Sequence, residues 1–282
     1  MSHQNASVLN QTQIDQFGKD GYVILKGFYD PEDVAQVCKG IYDVIGQVMQ
    51  RHGLVDNRPK FLVDAFDAGY VDLIRADRRL GSEVYDAVKF IPAFWRIVAH
   101  PAHATLVQQL RPDAIPAVAA AGCGIRIDNP AEDKFRALWH QEYPAQLRSL
   151  DGLVFWSPLV PITESLGPVA LCAGSHKEGA LPVLRLETST SGRSGAYALQ
   201  LADEESLVAK YPQHSPLTNP GDLILMDFLT LHASGFNRSE RSRWSMQFRY
   251  FNMSESTGQA HGWKGSYADG VDFASLHPEL IV

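Results

Sequence analysis

The chain is poor in cysteine, has no long apolar run and carries no excess of positive charge. Its three cysteines, Cys38, Cys123 and Cys172, are odd in number and lack metal-ligand spacing. Neither a disulfide framework nor a thiolate metal centre is expected, and the thiols read as reduced. No stretch approaches the roughly 18 consecutive apolar residues of a membrane-spanning helix, so no membrane partner is expected. With 25 basic against 32 acidic residues the net charge is −7. That argues against a nucleic-acid partner, since phosphate binding needs a basic face. The first ten residues lack the basic-then-apolar pattern of a secretion signal, and a cytoplasmic protein is expected. No repeat of fixed period occurs. A composition of 45% hydrophobic and 20% charged residues is that of a globular protein. A chain of 282 residues can bury a core without a metal or disulfide staple.

What is present falls into two textures. Residues 1–113 read mainly as helices around one early strand. Thr12 and Asp15 suggest a capping box before a short helix, and Tyr22-Val23-Ile24-Leu25 has the β-branched density of a strand. Asp30-Pro31-Glu32-Asp33 is a strong helix start, with an Asp cap, proline in the first turn and acids behind it. Val34, Val37, Cys38, Ile41, Val44, Ile45 and Val48 continue it as one apolar stripe. Further helical stretches are expected at 83–90, 94–98 and 105–110. From 114 onward short apolar runs alternate with turn residues, and strands are expected at 117–127, 152–162, 168–171, 222–231 and 243–252. Residues 187–196 read as an exposed loop. Helices first and strands afterwards indicate an antiparallel β core (114–252) with helices outside it and a tail at 253–282, all within one domain, 1–282.

Chemistry concentrates in Leu138-Trp139-His140-Gln141-Glu142-Tyr143. In an extended segment residues two apart point the same way, so His140 and Glu142 would offer an imidazole and a carboxylate to one space. His232 closes the run at 222–231. Two histidines and one carboxylate on one face of a metal, with the other face open, is the non-haem iron(II) arrangement. Arg241, Arg243, Ser245, Gln247 and Arg249 alternate with Ser242, Trp244, Met246, Phe248 and Tyr250, a strict period of two. Such a polar face is either solvated or turned into a barrel, where a buried arginine needs a carboxylate. His100, His103 and His176 read as structural, Trp95, Trp244 and Phe248 as core, and Asp64, Asp67 and Asp72 as solvated loop acids.

Taken in order, several pieces resemble the phytanoyl-CoA dioxygenase-like family of iron(II)/2-oxoglutarate oxygenases. They are the segment from Phe17 to Phe28, Trp139-His140-Gln141-Glu142, Gly167-Pro168-Val169, Ala173-Gly174-Ser175-His176-Lys177, Gly221-Asp222-Leu223, His232-Ala233-Ser234-Gly235, Asn237-Arg238-Ser239 and Arg243. The resemblance implies a double-stranded β-helix, a jelly-roll or cupin-like mainly-β fold with N-terminal helices packed on one sheet. It implies that His140, Glu142 and His232 bind Fe(II). It further implies that Arg243, eleven residues after His232, and Ser234 bind 2-oxoglutarate, with Gln141 nearby. The activity it implies is a dioxygenase that hydroxylates a small molecule while 2-oxoglutarate and O2 become succinate and CO2. The family usually has aspartate where this chain has Glu142; that carboxylate also argues against a halogenase. Arg126 is a further candidate for the cosubstrate, and Asn129, Tyr143, Trp156, Phe236 and Arg249 are candidates for the substrate. A non-catalytic jelly-roll binding protein and a cupin-type metal-dependent hydrolase or isomerase are the alternatives. Oligomeric state and substrate identity are not specified by the sequence.

Overall fold

The computed structural model describes residues 8–185, 199–265 and 269–282; the loop expected at 187–196 lies outside them. The first helix, α1 (Gln11–Asp20), starts from Asn10, whose side chain accepts from Gln13 N while the Gln13 side chain accepts from Asn10 N. The capping box is therefore present but begins two residues before Thr12. Gly21 ends α1 at φ 80°, where a Cβ would fall 2.4 Å from His176 Nδ1, so only glycine fits this turn into β1 (Tyr22–Leu25). In α2 (Pro31–Arg51) Asp30 caps Glu32 N at 2.8 Å, and Val34, Val37, Cys38, Ile41, Ile45 and Val48 are all buried. Four helices follow: α3 (Tyr70–Ala76), α4 (Arg78–Ala87), α5 (Pro92–Val98) and α6 (Pro101–Leu110). Pro92 and Pro101 sit in first turns, where the missing N–H costs nothing. Each therefore opens a helix that begins earlier than the apolar pattern alone suggests.

The β core comprises two antiparallel layers. The larger sheet runs β1, β9 (Leu223–Asp227), β4 (Gly152–Pro158), β11 (Arg243–Asn252) and β2 (Pro116–Val118), and β3 (Gly124–Asp128) pairs with the first half of β11. The smaller sheet runs β10 (His232–Ser234), β5 (Val169–Cys172) and β8 (Gln213–His214). A separate ribbon joins β6 (Val183–Arg185) to β7 (Leu199–Leu201). The run expected at 117–127 is split into β2 and β3 by a 3-10 turn at Ala120–Gly122. The run expected at 222–231 ends at Asp227; the chain then crosses between sheets, and His232 opens β10 instead of closing β9.

Strand β11 is the axis of the fold, because its two faces do different work. Trp244, Met246 and Phe248 are fully buried and Tyr250 nearly so, facing the helices. Trp244 packs edge-on against Tyr70 (4.9 Å) and Phe66 (5.7 Å), and Phe248 packs against Phe94 (5.6 Å). Each such side chain removed from water contributes roughly 1.5–3 kcal/mol. Trp95, expected in the core, is 38% exposed. Asp67 is not a solvated acid either: its carboxylate takes two bonds from Arg241, at 2.8 and 2.9 Å. Cys38, Cys123 and Cys172 are free and buried. Among the described residues no helix is long and apolar enough to cross a membrane.

Candidate functional site

The other face of β11 carries Arg243, Ser245, Gln247 and Arg249 into the space between the sheets. His140 and His232 meet there through a two-residue bridge in which each backbone N–H donates to the other's carbonyl (3.0 and 3.1 Å). Glu142 is not extended as expected. Its backbone is helical (φ −71°, ψ −31°) and starts the short helix α7 (Tyr143–Gln146), which swings its carboxylate back toward the imidazoles. One donor atom from each of His140, Glu142 and His232 lies within 4.8 Å of the other two.

The protonation states suit a cation. His140 Nδ1 lies 2.7 Å from Leu138 O and His232 Nδ1 lies 2.9 Å from Thr230 O. A carbonyl can only accept, so both Nδ1 atoms carry the proton and both Nε2 lone pairs are free, the usual arrangement of metal-binding histidines. Burial, reinforced by His140 beside it, pushes His232 down to about 3. Burial also lowers His140, against the pull of Glu142. Burial alone would raise the Glu142 carboxyl, but Arg249 above all, and then the two imidazoles, hold it at about 2. Two neutral imidazoles and one carboxylate are thus presented together.

This triad lies in the wall of a cavity of about 300 Å3. Trp139, Trp156, Ser234, Arg126, Gln247 and Arg249 also line it, as do Tyr85 and Lys89 from α4 and the turn after it. Arg126 and Tyr85 border a second cavity of about 240 Å3, which holds Asn129, Tyr70, Arg78 and Phe135. Arg243 lies behind the cavity wall, 1% exposed. Its Nη2 and Nε donate to Asp128 Oδ2 at 2.8 and 3.3 Å, and its buried Nη1 has no partner among the described residues. Ser245 Oγ, on the same face, is likewise buried and unpartnered. Arg126 grips the same Asp128 from the other side, Nη2 to Oδ1 at 2.9 Å. Burial would raise the Asp128 carboxyl, yet Arg126 and Arg243 outweigh it and hold it below the usual range.

Other expected residues are elsewhere. Gln141 points away from the cavity and spends its amide on the backbones of Gly179, Leu229 and Leu181, each at 2.8 Å. Tyr143 is fully buried and bonds His277 at 2.6 Å. Phe236 lies under the Arg238 guanidinium. Residues the sequence reading missed are Asp128, Gln146 and Gln247. Asp128 had a signal, the alternation Arg126-Ile127-Asp128 on one strand, and Gln146 had another, its place four residues after Glu142.

The sequence profile of the family described as "Phytanoyl-CoA dioxygenase (PhyH)" matches residues 17–245. The chain belongs to this family. Among solved structures it is similar to EctD from S. alaskensis, with 2-oxoglutarate and 5-hydroxyectoine (TM-score 0.58, 18% identity, 90% of this chain and 80% of that one). It is also similar to SnoK, a non-heme alpha ketoglutarate dependent carbocyclase from nogalamycin biosynthesis (0.57, 15%, 87% and 85%). A third is the epimerase SnoN in complex with Fe3+, alpha ketoglutarate and nogalamycin RO (0.54, 16%, 93% and 91%). Among curated proteins there is no match. At these identities the likeness establishes the fold, the jelly-roll of this phytanoyl-CoA dioxygenase family member.

Proposed function

We propose that the protein is an iron(II)- and 2-oxoglutarate-dependent oxygenase that hydroxylates a C–H bond of a small molecule. The observation that carries this reading is the convergence of His140, Glu142 and His232, with both Nδ1 atoms tied to carbonyls and both Nε2 atoms free. When bound, iron(II) supplies redox chemistry with O2, and 2-oxoglutarate supplies the electrons that the substrate does not, leaving as succinate and CO2. The residues of the chain bind and orient. His140, Glu142 and His232 hold the ion on one side only. For the distal carboxylate of 2-oxoglutarate, the Arg243 Nη1 and Ser245 Oγ atoms provide buried donors with no partner among the described residues. Asp128 engages Nε and Nη2 of Arg243, which leaves Nη1 as the donor a second carboxylate would meet. Ser234 and Arg126 stand on the cavity wall itself.

The cavity volume suits a small molecule. Trp139 and Trp156 supply apolar walls, while Tyr85, Lys89, Gln247 and Arg126 supply polar contacts for the substrate. Asn129 reaches it only through the adjoining second cavity. Two of the structural neighbours are a carbocyclase and an epimerase, so products must be identified and not inferred from turnover. The test is a substrate screen with Fe(II), 2-oxoglutarate and a succinate readout, followed by the mass of the product. Substrate-dependent succinate with a product one oxygen heavier supports the reading. Product formation without succinate points to a hydrolase or isomerase, and ligand binding without either points to a binding protein.

A further inference from the structure

Glu142 has one methylene, and so one rotatable bond, more than an aspartate would bring to the ligand that must be fixed most firmly. The structure shows what fixes it. Gln146, one helical turn along α7, donates Nε2 to Glu142 Oε1 at 3.1 Å. Arg249, reaching in from β11, donates Nε to the same oxygen at 3.1 Å, and its Nη2 lies 3.4 Å from Oε2. Arg249 is itself held independently of Glu142, by Nη1 to Gly122 O at 2.7 Å and Nη2 to Gln247 Oε1 at 2.8 Å. The cradle is tight: a Cβ on Gly122 would fall 2.7 Å from Gln146 Oε1. Thus Oε1 is saturated by two donors, whereas Oε2 is the oxygen turned toward His232 Nε2, at 3.8 Å.

We infer that Arg249 is a positioning residue that makes glutamate, rather than aspartate, the working carboxylate of this site. It grips both carboxylate oxygens, Oε1 through Nε and Oε2 through the longer Nη2 bond, and so fixes the direction in which Oε2 faces His232 Nε2. An aspartate at 142 is shorter by one C–C bond, about 1.5 Å, and cannot reach both the guanidinium and the imidazoles. Arg249 therefore acts on the metal through Glu142, and is not the substrate-binding arginine that the sequence suggested. The inference rests on the metal reading above.

A double-mutant cycle read by Co(II) titration of the metal-free full chain tests it without any turnover. The variants are Glu142→Asp, Arg249→Met and the pair, with Arg249→Lys as a milder change that keeps the charge but not the planar fork. With Arg249 present, Glu142→Asp should weaken Co(II) about 10-fold or more, as expected for a lost orienting contact. In the Arg249→Met background the same change should cost less than about 3-fold, because the advantage of glutamate is gone. Arg249→Lys should fall between wild type and Arg249→Met; if Arg249→Met does not fold, the cycle is run with it instead. Equal effects of Glu142→Asp in both backgrounds, or Arg249→Met binding Co(II) as tightly as wild type, would overturn the inference while leaving the metal reading intact. A wild-type chain that takes up no Co(II) would overturn both.

Discussion

The two ends of the inner face of β11 are built from the same residue types and leave different groups over. At the far end Arg249 meets Glu142, and with two neutral imidazoles beside them the protein charges cancel. At the near end Arg126 and Arg243 share Asp128, and the buried Arg243 Nη1 has no acceptor among the described residues, so donors and acceptors there do not balance. The balanced end has lone pairs to offer and suits a cation. The unbalanced end has N–H groups to offer and suits an anion. A buried donor without an acceptor is costly, so the orphaned Arg243 Nη1 points to a ligand that completes it.

The largest effect is expected at the balanced end. His232→Ala or His140→Ala should abolish metal uptake and turnover, since no other described residue replaces the lost lone pair. Circular dichroism should show the fold retained, because the core does not depend on the ion. Iron-dependent activity in the double variant would show that the triad is misassigned.

Arg243→Ala addresses the unbalanced end. Truncating one partner of a buried charge pair costs about 2–5 kcal/mol, and about 1.4 kcal/mol is tenfold. The apparent constant for 2-oxoglutarate should therefore rise roughly 30-fold or more, with metal binding little changed.

Acid should weaken the fold through its buried histidines. His103, bonded to Tyr29 on the helix side of the sheet, and His232 in the cavity are both pushed down to about 3, in each case chiefly by burial. The unfolded chain takes up these protons below about pH 6.5 and the folded chain does not until about 3. Stability should thus fall as pH falls through that window, by about 1.4 kcal/mol per pH unit for each group. Denaturant midpoints of the metal-free protein between about pH 7 and about pH 6 measure it, above the range where the buried Asp227, pushed up to about 6, takes up its own proton and opposes the loss; midpoints that rise on acidification would contradict it. Saturating metal should raise the midpoints without steepening this loss, since His232 is already neutral in the folded chain across the window.

The smallest effect belongs to Arg241, two residues from Arg243 but bonded outward to Asp67. Arg241→Ala should cost about 1 kcal/mol of stability and leave 2-oxoglutarate binding unchanged. A cosubstrate constant that rises as much as in Arg243→Ala would erase the distinction between these neighbours.

These differences also mark how far the sequence could be read. The limits of β11 were legible because a period of two over ten residues has no helical counterpart, and Asp30-Pro31 marked the start of α2 for the same kind of local reason. The jelly-roll and the metal triad followed from motif order. The crossover at 228–231 was not legible. An apolar run reports burial, and Phe228, Thr230 and Leu231 stay buried while the chain leaves one sheet for the other, the turn closed by Asp227 accepting from Leu229 N. Nor was the partner of each arginine legible. Arg249 and Glu142 are 107 residues apart and Arg243 and Asp128 are 115 apart. Which guanidinium finds which carboxylate is set by strand register, such as Arg243 opposite Asp128 and Arg249 opposite Val154.

The most direct test of the oxygenase assignment needs no substrate. It is a calorimetric titration of 2-oxoglutarate into the Fe(II)-loaded protein under anaerobic conditions, with and without the metal. Saturable binding at one site that strengthens markedly when Fe(II) is present is the expected result, because one end of the cosubstrate would meet the ion and the other the Arg243 end of β11. No binding, or binding indifferent to the metal, would contradict it.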